Sequence, residues 1–390
     1  MILATVSVVI GLVALTLLQL WRRNISLSLF GALVVTLAFH RPAFHSFASI
    51  LRGFFTDPKL YEVVLTIYFI FVMGEVMKAT GAARSLQKAV ESAFADVRLS
   101  AAFLPLMIGL LPMPGGAMFT APLVDTIGKG SELTRLEMMT SNYWFRHSME
   151  FFWVVYPAMV IAASFAGIPL RSFMVVMSPV GLTAVGAGLL IHKPKDWRVK
   201  LSRKATSLFL KSTWPILLTI LLVLMGIPGV WAVGLVAALS VVLSKKFASF
   251  LKGAKPDVLL LLAMVFLYKS ALSTLHISEA IALELSTSIP PLVVAAAMPL
   301  LLGMVTGLTQ ATVGMSFPTI FSLSVNFGTL SLAVWSYYFA VLGVLLSPVH
   351  LCLVLTSEYF GVPISKALKK LLPGFVATFA AVSLLVLLIG

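Results

Sequence analysis

Apolar runs long enough to cross a hydrocarbon core recur from one end of this chain to the other. In the first half they predict helices over about 2–21, 25–39 and 60–79, followed by an amphipathic, charged stretch at 82–98. A broken apolar segment, 100–128, is interrupted by Pro112-Met113-Pro114-Gly115-Gly116. A long segment over 137–165 carries Pro157, and a helix over 170–191 follows. The second half predicts helices over 209–226, 229–243 and 257–275, and then a stretch at 277–288. Its broken segment is 290–324, with Gly307-Leu308-Thr309-Gln310-Ala311-Thr312-Val313-Gly314 at the break. A long segment over 331–360 carries Ser347-Pro348, and a helix over 373–389 ends the series. The first run, Ile2–Leu20, is closed by Trp21-Arg22-Arg23 with no small-residue cleavage site, so it reads as a retained helix.

The two series share more than their order. Phe47–Gly53 recurs as Phe247–Gly253, Asn142–Phe145 as Ser336–Phe339, and Phe165–Leu170 as Tyr359–Ile364. Three matches in one order, at offsets of 200, 194 and 194, predict a duplicated unit of about 195 residues. The expected units are 1–192 and 208–390, joined by a basic cytoplasmic linker at 193–207.

Loop charge indicates whether each broken segment crosses the membrane or folds back, because Lys and Arg favour the cytoplasmic side. With both segments re-entrant and the termini outside, 21 Lys and Arg fall in cytoplasmic loops and 4 in outer ones. With both crossing, the better orientation gives only 15 against 10. The re-entrant arrangement leaves five crossings per half, and an odd number inverts the second half. The expected fold is an all-α polytopic membrane protein of two inverted repeats, each with five transmembrane helices and one re-entrant hairpin.

Composition agrees with a bilayer. Of 390 residues, 60% are hydrophobic and 11% charged, about half the charge of a soluble domain. The formal charge of +14 reads as loop orientation signals rather than a nucleic-acid surface. One cysteine, Cys352, offers no internal disulfide and gives no expectation of a metal site or cofactor.

The duplicated order of three helices, hairpin, broken helix and closing helix resembles the ion-transporter superfamily, which includes gluconate, citrate and dicarboxylate permeases. Leu111–Phe119 resembles an uncharacterised prokaryotic family of integral membrane proteins, domain of unknown function 401. The resemblance implies a homodimer, an elevator-type movement, and a small anionic solute moved with sodium or protons. The dicarboxylate branch carries Ser-Asn-Thr motifs at its hairpin tips, and this chain does not.

Candidate solute contacts are Met113, Pro114, Gly115 and Gly116 at the first break. At the second they are Thr309, Gln310, Ala311, Thr312 and Gly314, with Ser347 beside the later proline. Gly-rich turns free backbone N–H groups and admit a ligand closely, and the positive end of a half-helix suits an anion. Arg146 stands inside an apolar segment, where an ionisable side chain is a functional candidate by default and a guanidinium can grip a carboxylate. A self-neutralising Arg146–Glu150 pair is the structural alternative. At offset 194 the equivalents of Arg146, His147 and Glu150 are Ala340, Val341 and Val344, so the repeat does not demand charge there. His147, Glu150 and His350 are candidates for proton or ion coupling, while Glu75 and Lys269 can snorkel to the interface.

The expected function is ion-coupled secondary transport of a small organic anion, a carboxylate or sugar acid, across the cell membrane. A channel or an intramembrane enzyme is the alternative. No His-Glu-x-x-His, Gly-x-Ser-x-Gly or Walker loop is present, so no enzyme is expected.

Overall fold

A computed structural model describes residues 3–22, 24–40, 42–110, 116–200, 202–286, 289–323 and 327–390. The candidates Met113, Pro114 and Gly115 lie outside the described residues. The first ten α-helices are α1 Leu3–Arg22, α2 Ile25–His40, α3 Phe44–Thr56, α4 Pro58–Ala79, α5 Ala82–Ala93, α6 Val97–Gly109, α7 Gly116–Gly128, α8 Arg135–Ser148, α9 Pro157–Ala166 and α10 Leu170–His192. Ten more follow: α11 Arg203–Leu224, α12 Gly229–Ser244, α13 Ala248–Gly253, α14 Pro256–Thr274, α15 Ile277–Ser286, α16 Pro291–Thr306, α17 Thr309–Ile320, α18 Thr329–Leu346, α19 Leu351–Phe360 and α20 Ile364–Ile389. Among the described residues six helical segments are long and apolar enough to cross a membrane. The protein is a helical membrane protein.

Two elements depart from the expected pattern. Phe44–Thr56 and Ala248–Gly253, expected as loops, are helices. They are too short and too amphipathic to register as apolar runs. Phe44 and Leu251 project outward at 89% and 83% exposure, while Gly53 and Gly253 seat each helix against the other half. A Cβ on Gly53 would stand 2.8 Å from the Ser270 hydroxyl, and one on Gly253 would stand 2.8 Å from the Val72 nitrogen. The hydrogen bonds are reciprocal: Ser270 donates to the Ile50 carbonyl at 2.8 Å, and Tyr68 to the Phe250 carbonyl at 3.0 Å. The closing helix is also longer than expected. It starts at Ile364 behind Pro363 and accommodates Pro373 in its interior.

Side-chain partners give the directions of the helices. Arg98 lies beside Glu137, Ser141 donates to the Ala101 carbonyl, and Gly109 abuts the Arg146 carbonyl, so α6 runs parallel to α8. Gly116 abuts Arg146, Thr120 bonds Asn142 and Gly128 abuts Met138, so α7 runs antiparallel to α8. The chain therefore turns back between α6 and α7. Each arm has 13 residues, about 20 Å of helix, too short for a core of about 30 Å. In the second half α16 runs parallel to α18: Trp335 reaches the Leu292 carbonyl and Ser347 reaches the Met304 carbonyl.

Across the halves, α4 and α14 cross antiparallel. Lys255 at the start of α14 pairs with Glu75 near the end of α4, and Lys269 pairs with Asp57, the N-cap of α4. Glu75 and Lys269 thus hold partners on the facing helix rather than only reaching for water. Helices α8 and α18 are antiparallel as well, with Tyr143 bonded to the Leu345 carbonyl and Tyr337 to the Glu150 carbonyl.

The basic segment after α10 is anchored rather than free. Asp96, the N-cap of α6, accepts from Arg98 N at 2.6 Å within its own helix. It also accepts from Lys195 N at 2.6 Å and Asp196 N at 2.9 Å in the linker. Burial opposes its charge, but these backbone donors outweigh it and hold the carboxyl below its usual range. Replacing the carboxylate by an amide, which keeps one acceptor oxygen and turns the other into a donor, is expected to cost about 1–3 kcal/mol. Because the folded pKa is depressed, that stability is complete above the unfolded value near 3.8 and fades as pH falls. In thermal melts Asp96→Asn should lie below wild type at neutral pH, and the gap should close under acid conditions. A gap that is constant with pH would remove the carboxylate from the account.

Candidate solute site at the broken helices

Each long segment breaks at a proline. Tyr156, before Pro157, is extended at φ −81° and ψ 122°, and Ser347, before Pro348, at φ −71° and ψ 126°. The residue before proline is sterically driven out of the helical region, and proline itself withholds a donor. Helix α8 closes at Ser148, a single 3₁₀ turn carries Glu150, and α9 begins at Pro157. The breaks expose carbonyls at depth, where each must find a partner. Tyr143 and Tyr337, 194 residues apart, supply two: each donates across to the break of the other half, at 2.8 and 2.9 Å.

A cavity of about 310 Å³ opens where these breaks meet the start of α17. Its wall includes Arg146, His147, Glu150, Thr309, Gln310 and His350. Six residues singled out along the sequence, drawn from positions more than 200 apart, thus share one chamber. Arg146 is 6% exposed and Glu150 8%. The guanidinium donates through Nη1 to the Tyr156 hydroxyl, which in turn donates to the Gly109 carbonyl at 3.1 Å. Glu150 looks elsewhere, accepting from the Thr309 hydroxyl. The 3₁₀ turn removes Glu150 from the helical i+4 position, so the two are not a pair on one continuous helix face.

Other candidates stand behind the wall. Gly116 packs on Arg146: a Cβ there would lie 2.4 Å from Nε. Thr312 bonds the Thr306 hydroxyl at 3.0 Å and the Leu308 carbonyl at 3.0 Å, Gly314 abuts Val265, and Ala311 is buried. Ser347 donates to the Met304 carbonyl at 2.6 Å and accepts from Val349 N at 3.2 Å, which spends its hydroxyl on the gap left by Pro348.

Several wall and support residues were not singled out from sequence: Asp257, Tyr156, Asn142 and Cys352. Asn142 ties the first hairpin to the second broken helix. It bonds the Ala117 carbonyl at 2.9 Å and the Thr356 hydroxyl at 3.3 Å, and accepts from Thr120. A polar amide in an apolar run was the available signal. Asp257 and Cys352 reach the cavity only through tertiary packing.

Short half-helices, proline breaks and a largely apolar cavity that carries a few buried ionisable side chains belong to a polytopic helical membrane protein. The chain belongs to the family described as protein of unknown function DUF401, whose sequence profile spans residues 5–389. No curated protein matches it.

Proposed function

We propose that this protein is a secondary transporter that moves a small organic anion, a carboxylate or sugar acid, by alternating access and coupled to an ion. The observation that carries the reading is Arg146, a buried cation in the wall of a chamber to which both broken segments contribute. A guanidinium in low dielectric binds a carboxylate strongly, and the Gln310 amide at the N-terminal end of α17 adds a donor where the helix dipole is positive. Glu150, with the neighbouring histidines, is the candidate for handling the coupling ion.

Two inverted repeats supply the alternation. In support, α4 crosses α14 and α8 crosses α18 antiparallel, and Gly109 and Gly303 make the same contact, with the Arg146 and Ala340 carbonyls, 194 residues apart. Each half then has five spans and one re-entrant hairpin, and elevator-like movement of the hairpin part carries the solute. The repeats are 1–192 and 208–390, the termini face outward, the cell membrane is the site, and a homodimer is the working unit.

Uptake of carboxylates and sugar acids into proteoliposomes tests this reading. Saturable accumulation driven by a proton or sodium gradient is expected. Ohmic, non-saturating flux would make the protein a channel, and turnover in detergent without a gradient would make it an enzyme.

A further inference from the structure

His147, on the last turn of α8, and His350, at the N-cap of α19, meet where the breaks of the two halves converge. Each ring is fixed by a backbone carbonyl. His147 Nδ1 lies 2.7 Å from the Tyr143 oxygen, and His350 Nδ1 lies 2.9 Å from the Gly307 oxygen. A carbonyl only accepts, so each ring carries its hydrogen on Nδ1. In the neutral rings both Nε2 atoms are then bare lone pairs, yet they face each other at 3.1 Å. Two acceptors this close, at 4% and 7% exposure, repel unless a cation lies between them.

Cys352 brings a third donor atom to the pair. The two imidazole nitrogens and Sγ all fall within 4.8 Å of one another. Two metal–nitrogen bonds of about 2.0–2.1 Å at a tetrahedral angle hold their nitrogens about 3.3 Å apart, close to the observed 3.1 Å. Carbonyls accepting from Nδ1–H are the usual second layer of a histidine metal site, fixing tautomer and ring plane. The absence of a second thiol does not exclude a metal, because a mixed His₂Cys set needs only one. All three residues line the cavity, so a fourth position opens toward the solute chamber.

We propose that His147 Nε2, His350 Nε2 and Cys352 Sγ bind one thiophilic transition-metal ion, Cu(I) or Zn(II), at the junction of the two broken helices. Nitrogen and thiolate ligands select such ions over sodium, magnesium or calcium. The ion screens the facing lone pairs and staples α8 to α19. With both imidazoles held by the ion, the coupling role proposed above for Glu150 and the histidines falls to Glu150 alone. The proposal does not depend on the transport reading, since it is read on solubilised protein.

Full-length protein in detergent is stripped with chelator and titrated with Co(II), a spectroscopic stand-in for Zn(II), and separately with Cu(I) under reducing conditions. Expected is saturation at one ion per chain, with a thiolate-to-cobalt charge-transfer band in the near ultraviolet that Zn(II) displaces. Cys352→Ser, a one-atom change, should abolish the band and weaken binding at least tenfold. His350→Gln should weaken it similarly, while the exposed His276→Gln should bind as wild type. Wild-type protein that takes up neither ion stoichiometrically overturns the proposal and leaves a shared proton between the rings. A charge-transfer band that persists in Cys352→Ser overturns it too. If His350→Gln fails to fold, the Cys352→Ser titration decides.

Discussion

Arg146→Ala is expected to abolish measurable solute uptake while leaving a folded, cooperatively melting protein. A charge-assisted hydrogen bond is worth about 1.5–3 kcal/mol, so losing even one weakens apparent affinity by roughly 10- to 150-fold. A bidentate grip loses more. Arg146→Lys keeps the charge but not the planar fork, and should fall between wild type and alanine. Gly116→Ala offers a second route to the same defect. Its Cβ would stand 2.4 to 2.8 Å from the guanidinium atoms, which are the far end of a flexible side chain and can swing away. The fold should survive and the grip should not. The measurements are uptake kinetics and thermal melts of the same preparations. Wild-type uptake in Arg146→Ala would remove the guanidinium from solute binding and leave the transporter reading without its principal support.

The helical membrane class was legible because long apolar runs are a strong, local signal. The prolines at 157 and 348 marked the breaks for an equally local reason: they forbid the helical conformation of the residue before them. What escaped was short or distant. Helices α3 and α13 bury one narrow face against the opposite half, so their hydrophobicity never sums to a span. The repeated Phe-Ala-Ser motif was visible, but its structural content, a short helix seated through a glycine against the other half, was not. In the site, Arg146, His147 and Glu150 stood out as ionisable groups in an apolar run, and the cavity gathers them with Thr309, Gln310 and His350. Cys352 was set aside because metal sites are usually recognised by paired spacings, whereas its partners lie 205 and 2 residues away and meet it only in the fold. The direction of the Glu150 side chain was equally hidden. A single 3₁₀ turn moves it from the Arg146 face toward Thr309, and residue spacing does not report that turn.

Gly303→Ala and Gly109→Ala are expected to destabilise the protein to similar degrees but to affect the solute site differently. A Cβ on Gly303 would stand 2.8 Å from both the Ala340 oxygen and the Val344 nitrogen, and one on Gly109 2.9 Å from the Arg146 oxygen. These neighbours are backbone, so relief requires α6 to separate from α8, or α16 from α18, where small residues permit close approach. Overpacking of this kind costs about 1–3 kcal/mol, and valine at either position should cost more. Gly186 in α10 is the control: nothing lies within 4 Å of its Cβ position, so Gly186→Ala should be neutral or gain up to about 1 kcal/mol of helix propensity. The two sensitive glycines then part company. Behind Gly303 stands Ala340, which has no polar side chain to misplace. Behind Gly109 stands Arg146, and Gly109 itself offers the carbonyl that holds Tyr156 at 3.1 Å. At matched loss of melting temperature, Gly109→Ala should therefore lose several-fold more solute affinity than Gly303→Ala. Equal affinities would mean that the backbone under Arg146 does not set the position of its guanidinium. An unchanged melting temperature in Gly303→Ala would mean that the contact between α16 and α18 is looser than 2.8 Å implies.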